Sequence, residues 1–385
     1  MSNEKYDVII IGAGSVGVPA AMYLAEKKVR VLVIEELPSS GQANNKKAIG
    51  GVRATHSDFG KIQTCLRSIE IFSTWKDMYG DDLGWMSNGY SYPAYNEEDE
   101  KKLKDLMKIQ LSFGVNIKWI SAQEYNELVP GIEMNGLRGS TYSPEDGSCS
   151  PLLADAAFYH RAKRLGATFK FNESITGMKL EAGRIVEVQT NKGTYACGHV
   201  INAAGNNARA IGKMVGFDLP VNPDNHEAGI TEPVKRFFGP MVIDMRKAPG
   251  STNFYFYQNH EGQVVFCITP DPQIWGIDNR STSEFLPMCS ARMLQVYPRL
   301  RTLKVRRTWR GQYPMTPDGF PIIGTTNEVP NYTNAVGMCG QGFMLGPGTG
   351  ELLSRIVTCD MTKDDEHVLE SFTLYRDFSG MEMFK

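Results

Sequence analysis

The sequence predicts an α/β fold: a Rossmann-like dinucleotide-binding domain interrupted by an inserted antiparallel-sheet domain. Three observations carry this prediction. The chain opens on a complete βαβ unit, residues 220–315 read as one strand after another, and glycine-rich stretches bring the first pattern back near residues 201–205 and 337–348.

The opening unit begins with a β-branched run, Tyr6 to Ile11, that leads directly into Gly12-Ala13-Gly14-Ser15-Val16-Gly17. An Ala-rich helical stretch, Val18 to Lys28, follows, and then a second apolar strand, Val29 to Ile34, that ends at Glu35 and Glu36. Gly12 permits the tight turn, Gly14 lets the backbone approach a pyrophosphate, and Gly17 lets helix and strand pack closely. The diphosphate belongs at the helix N-terminus beside Ser15 and Val16, where unpaired N–H groups and the helix dipole favour negative charge. Glu35 stands where a carboxylate accepts hydrogen bonds from both ribose hydroxyls and repels a 2′-phosphate.

A polar loop, Leu37 to Lys47, closes on Ala48-Ile49-Gly50-Gly51-Val52-Arg53. So long a loop in a compact domain is usually functional, and its paired glycines suggest close approach to something flat. A helix over 58–78 then carries apolar Ile62, Leu66, Ile69 and Phe72. Residues 85–95 read as a strand pair with aromatic alternation, and the charged stretch 96–108 as a solvated helix. A helix over 151–165 leads to strand-like runs at 166–171 and 174–178. Two more runs, 184–190 and 193–199, are joined by the Asn191-Lys192 turn and end in Val200-Ile201-Asn202-Ala203-Ala204-Gly205. That small-residue ending suits a chain passing under a bound cofactor.

Within 220–315 the strand candidates are 221–231, 241–245, 253–258 and 263–269, with a helix over 283–296 bounded by Pro298. Gly337 to Gly348 then precedes a helix over 350–357. The nucleotide domain is therefore expected to be discontinuous, built from 1–84, 145–219 and 316–385, with a substrate domain from 85–144 and 220–315.

The bulk properties exclude several classes. A chain of 385 residues with 42% hydrophobic and 22% charged residues and a net charge of −2 points away from nucleic acid and from disorder. Seven cysteines are scattered without a C-x-x-C pair, so neither a metal site nor a disulfide framework is expected, and a reducing cytoplasm fits. The first strand starts too early for a signal peptide, and no apolar run is long enough for membrane insertion.

Several further motifs occur in order: the Gly50-Gly51-Val52-Arg53 loop, Ile201 to Gly205, Thr316-Pro317-Asp318-Gly319-Phe320-Pro321-Ile322-Ile323-Gly324 and Gly340-Gln341-Gly342-Phe343-Met344. With the glycine fingerprint and Glu35, the chain resembles the D-amino-acid oxidase superfamily of FAD-dependent oxidoreductases over essentially its whole length. Through His226-Glu227-Ala228-Gly229-Ile230-Thr231-Glu232-Pro233 and Arg307-Thr308-Trp309-Arg310-Gly311 it shows a closer similarity to the β subunits of sarcosine oxidase and dye-linked L-proline dehydrogenase.

The resemblance implies FAD, not NAD, in a glutathione-reductase-like domain. It sets the backbone of Ile175 beside adenine, Asn45, Lys46, Ala48, Gly50 and Gly51 beside the ribityl chain and flavin, and Ala204 and Gly205 under the cofactor. Gly340, Gln341, Gly342, Phe343 and Met344 would bring a helix N-terminus to the flavin N1/C2=O edge, where reduced flavin is anionic.

Departures from the family narrow the chemistry. Tyr313 replaces the substrate-carboxylate arginine of D-amino-acid and glycine oxidases. Gly311 replaces the cysteine that holds FAD covalently in monomeric sarcosine oxidase, so non-covalent FAD is expected. The oxygen-activating lysine of that enzyme falls in the Val264-Val265-Phe266 strand, its carboxylate-assisting lysine becomes Met344, and Pro151 aligns with the histidine that carries covalent FMN in heterotetrameric sarcosine oxidase. Arg53 remains as the carboxylate anchor, the alternative being a structural arginine that satisfies loop carbonyls. His226, Tyr255 and Gln341 are candidates for the pocket or else packed strand residues, as are Tyr90, Tyr92 and Tyr95. Asp318 is expected to hold a turn.

The implied reaction is hydride transfer from the α-carbon of a small amino-acid substrate (sarcosine, proline or a similar secondary amine) to flavin N5, giving an imine. Electrons would pass to a partner subunit or carrier. The alternatives are a peroxide-forming oxidase, a flavin-binding assembly subunit without turnover, and a hydroxy-acid or glycerol-phosphate dehydrogenase.

Overall fold

A computed structural model describes residues 4–382. Its first sheet has eight strands. Lys5–Ile11 lies between Thr194–Asn202 and Val31–Ile34, parallel to both, with Ile10 opposite Ile201 and Val33. Thr168–Lys170 extends one side, and Tyr332–Val336 with the antiparallel Ile322–Thr325 extends the other. Strands buried on both faces need continuous apolar runs, and Val31–Ile34 is buried at every position.

Helices Gly17–Glu26, Phe59–Tyr79, Pro151–Arg164 and Gly342–Thr358 contribute to one core with the first sheet. The last of these begins well before the expected 350–357, and Pro347 lies inside it. Its glycines explain why. A Cβ at Gly346 would lie 2.0 Å from the Ser15 carbonyl oxygen, one at Gly348 2.4 Å from the Thr64 carbonyl oxygen, and one at Gly350 2.7 Å from the Ala20 nitrogen. Backbone-to-backbone packing against two helices outweighs poor intrinsic propensity.

The second sheet also has eight strands, in the order Val305–Met315, Asn222–Pro233, Gln263–Pro270, Ser251–Gln258, Met241–Asp244, Tyr90–Ala94, Gly139–Ser143 and Lys118–Ser121. All neighbours are antiparallel except Met241–Asp244 against Tyr90–Ala94. Phe254, Phe256, Phe266 and Tyr297 centre its core, against the helix Phe285–Val296.

Two expectations are corrected here. Residues 85–95 hold one strand, Tyr90–Ala94, not a pair: Met86 makes only an isolated bridge to Ser148, Gly89 at φ +84° breaks the run, and Tyr90–Ala94 pairs with distant strands. The charged helix, Glu97–Ser112, is not wholly solvated, since it buries Leu103 and Leu106. Among the described residues, no helix is long and apolar enough to cross a membrane.

Candidate functional site

A cleft of about 1660 Å³ is lined by residues of both sheets. The glycine fingerprint forms one wall. Gly12, at φ +105°, turns the chain where a Cβ would lie 2.5 Å from the Ala203 carbonyl oxygen. A Cβ at Gly17 would lie 2.0 Å from the Gly12 oxygen, so this glycine serves packing, and it alone among the expected cofactor-binding residues does not line the cleft. Gly14 is the opposite case. Nothing lies within 4 Å of its missing Cβ, which leaves open space at the helix N-terminus for a diphosphate.

Glu35 is held by the same turn: its carboxylate accepts the Ala13 N–H at 2.8 Å and the Leu37 N–H at 3.0 Å. Burial raises its pKa, and these backbone bonds oppose the rise. Glu36, Ile175, Ala204 and Gly205 line the cleft nearby, and Glu36 accepts a hydrogen bond from Asn207 at 2.7 Å. An acid preset beside an open glycine turn fits a dinucleotide with a free ribose.

The loop after Glu35 supplies Asn45, Lys46, Ala48, Gly50 and Gly51. It is tied to the second sheet by side-chain amides that single residues did not reveal. Asn44 donates to Asn206 at 2.9 Å, Asn206 to Gln312 at 3.4 Å, and Gln312 to Asn225 at 3.0 Å. Lys47 also lines the cleft, a residue the sequence reading missed. Its Nζ donates to Asn279, its chain lies against Gly311, and burial, with Lys46 adding to it, lowers its pKa.

The helix Gly342–Thr358 points its N-terminus at the cleft, with Gly340, Gln341, Gly342, Phe343 and Met344 on the lining. Gly340, at φ +79°, is required there, since a Cβ would lie 2.4 Å from the Tyr313 ring. That ring stacks on His226 at 3.6 Å between centroids, and its hydroxyl lies 2.9 Å from that of Tyr255. His226 Nε2 lies 3.2 Å from Asp224 Oδ2. Burial first of all pushes the Tyr255 hydroxyl well above its usual pKa, so it stays protonated.

Arg53 is buried, lines the cleft, and donates through Nη1 to the Thr55 carbonyl and to His56 Nδ1. It therefore satisfies a loop carbonyl and also faces the cavity. Tyr90 and Tyr92 form a wall beside it. Tyr95 does not belong to that wall: it follows the strand's end, packs under Arg246 at 3.8 Å and donates to the Glu133 carbonyl. Asp318 lies off the cleft, where it pairs with Arg376 at 2.7 Å and accepts the Phe320 N–H. Val265, in the strand expected to have lost a lysine, packs among Tyr90, Met241 and Tyr257.

Comparison with known proteins gives the family and the fold. A family model described as FAD dependent oxidoreductase (DAO) matches residues 7–356. The sarcosine oxidase subunit beta of Rhodobacter capsulatus is 23% identical, over 92% of this chain and 85% of that one. The crystal structure of L-proline dehydrogenase from P. horikoshii is 32% identical with a TM-score of 0.90, covering 97% of this chain and 98% of that one. Glycine oxidase from Geobacillus kaustophilus shares the fold at 23% identity and a TM-score of 0.86, over 97% of this chain and 100% of that one.

Proposed function

Because the chain belongs to the DAO family of FAD-dependent oxidoreductases, we propose that it is a dehydrogenase for sarcosine, proline or a similar N-substituted amino acid. One observation carries the reading: Arg53, a buried guanidinium, lines the same cleft as the open glycine turn and the helix N-terminus at Gly342. The likeness to L-proline dehydrogenase and to sarcosine oxidase subunit beta supports this choice of substrate class.

FAD, held non-covalently, would supply the hydride acceptor, and a partner subunit or carrier would take up the electrons. The chain's own residues do the rest. Arg53 pairs with the substrate carboxylate and orients the α-carbon. Tyr90 and Tyr92 exclude water beside it, which strengthens that pairing. On the side of the second sheet His226 offers an acceptor to which the amine can shed its proton, and the Tyr255–Tyr313 hydroxyl pair can hold the amine by a hydrogen bond. Gly342 to Met344 would offer backbone N–H groups and a positive helix end to an anionic flavin edge.

The test is anaerobic bleaching of the FAD-loaded chain against sarcosine, dimethylglycine, L- and D-proline and glycine. Loss of the visible flavin band with a secondary amino acid supports the reading, and bleaching by none of them sinks it. Rapid recolouring in air would favour the peroxide-forming alternative, for which Lys47 in the cleft is the one supporting observation.

A further inference from the structure

Arg53 is held from behind by residues that do not touch the cleft. Its Nη1 lies 3.2 Å from His56 Nδ1 and also donates to the Thr55 carbonyl. A guanidinium has only donors, so His56 Nδ1 must present its lone pair, and the ring hydrogen must sit on Nε2. Nε2 in turn lies 3.5 Å from Cys65 Sγ, an acceptor on the helix Phe59–Tyr79. The hydrogens therefore run one way, from Arg53 to His56 to Cys65.

The whole row is buried, His56 and Cys65 completely. The histidine backbone is clamped as well. Its N–H donates to the Ala54 carbonyl at 2.8 Å, and its carbonyl accepts Gln110 Nε2 at 3.0 Å. Burial, then the charges of Arg53 and Lys61, keep the ring unprotonated, as an acceptor must be, against the opposing pull of the Arg53 backbone. His56 itself is absent from the cleft lining.

We propose that His56 is a positioning residue for Arg53: its imidazole lone pair holds the guanidinium at the angle needed to grip a substrate carboxylate. The proposal rests on the reading of Arg53 as the carboxylate anchor. Its physical basis is preorganisation. An arginine side chain loses much rotamer freedom when it is immobilised, and a fixed acceptor places that loss in folding, before the substrate binds.

The test uses the full FAD-loaded chain and acetate as the probe, with binding followed through perturbation of the flavin spectrum. Arg53→Met sets the baseline for losing the anchor. His56→Leu removes the acceptor, whereas His56→Asn puts an amide oxygen near the position of Nδ1. His56→Gln places its amide at the Nε2 end and serves if the leucine variant does not fold. The expected result is that His56→Leu and His56→Gln weaken acetate by about tenfold or more, with FAD content unchanged. His56→Asn should bind within about threefold of the parent, and Arg53→Met/His56→Leu no worse than Arg53→Met alone.

Unaltered acetate affinity in His56→Leu or His56→Gln, with Arg53→Met impaired, overturns this proposal and leaves the anchor standing. Failure of His56→Asn to rescue, or additive losses in the double variant, overturns it as well. If Arg53→Met binds acetate like the parent, the anchor reading falls first and the positioning role falls with it.

Discussion

Asp224 and His226 form a dyad on one face of a strand, with Asp224 Oδ2 3.2 Å from His226 Nε2. The other carboxylate oxygen accepts the Ile274 N–H at 2.7 Å. A carboxylate only accepts, so the imidazole must carry a hydrogen on Nε2, and its neutral form keeps Nδ1 as a lone pair. Nδ1 is buried without a protein partner, and the ring stacks on Tyr313. The dyad thus presents a ring of fixed tautomer on the cleft wall.

Asp224→Asn should reverse that tautomer while keeping the fold. The amide oxygen still accepts the Ile274 N–H, and the amide NH₂ now donates to Nε2, which forces the hydrogen to Nδ1. We expect kcat/KM to fall by roughly 100-fold, at the low end of what a general base contributes, with FAD content unchanged. Turnover equal to the parent's would show that the amine does not depend on this ring.

The two glycines of the turn should separate stability from cofactor binding. Gly17→Ala puts a methyl 2.0 Å from the Gly12 carbonyl oxygen, a backbone atom that cannot step aside. Overpacking of this kind costs about 1–3 kcal/mol or more, so the apoprotein should melt earlier. Gly14→Ala meets nothing within 4 Å. Its apoprotein should melt like the parent, yet FAD should bind about tenfold or more weakly, because the methyl enters the space left for the diphosphate. Parallel effects of the two substitutions in melting and FAD titration would contradict this division.

Asp146 should set a pH dependence of stability. It is buried at 1% exposure, and burial raises its pKa from 3.8 to about 7, against the opposing pull of the Ala54 N–H at 2.8 Å and the Arg53 charge. The folded form therefore binds the proton more tightly than the unfolded chain. Stability is full below pH 3.8 for this group and declines as pH rises through the window to about 7. Asp146→Asn keeps an oxygen for Ala54 and removes the titration. We expect it to exceed the parent above pH 7 by on the order of 2 kcal/mol in denaturant unfolding. Parallel pH profiles of the two proteins would refute the assignment.

The features legible in sequence were those encoded locally. The spacing of Gly12, Gly14 and Gly17 after a β-branched strand, with Glu35 closing the next one, specifies its own geometry within one βαβ unit. The start of the helix at Gly342 was legible only through the family resemblance; the residue pattern puts it at 350, because the Gly and Pro content argues against a helix until the Ser15 and Thr64 backbones are brought against it. The link between Tyr313 and His226 was not legible. It depends on the register that pairs Asp224 with Tyr313 and His226 with Gly311 across strands far apart in the chain. His56 behind Arg53, and Lys47 beside Gly311, were hidden for the same reason: each takes its role from a contact with a distant segment.

A buried ion pair fastens the end of the described chain beside this site. Lys61 Nζ lies 3.5 Å from Glu382 Oε2, both side chains are fully buried, and Lys61 also donates to the Gly319 carbonyl at 2.7 Å. Glu382 accepts from the Ser57 hydroxyl at 2.6 Å and, with Met381, lines the cleft. Desolvating two charges offsets most of their attraction, so the pair adds little net stability, but removing Lys61 takes a close cation from a buried carboxylate, which keeps the Ser57 hydroxyl and the charge of Arg53. Lys61→Met should therefore destabilise by about 3–5 kcal/mol, whereas Lys61→Met/Glu382→Met should recover most of that loss. Urea unfolding of the two variants and the parent measures both differences. A double variant no more stable than Lys61→Met would mean that the cost lies in the lost Gly319 bond and packing, and that the carboxylate of Glu382 does not depend on Lys61.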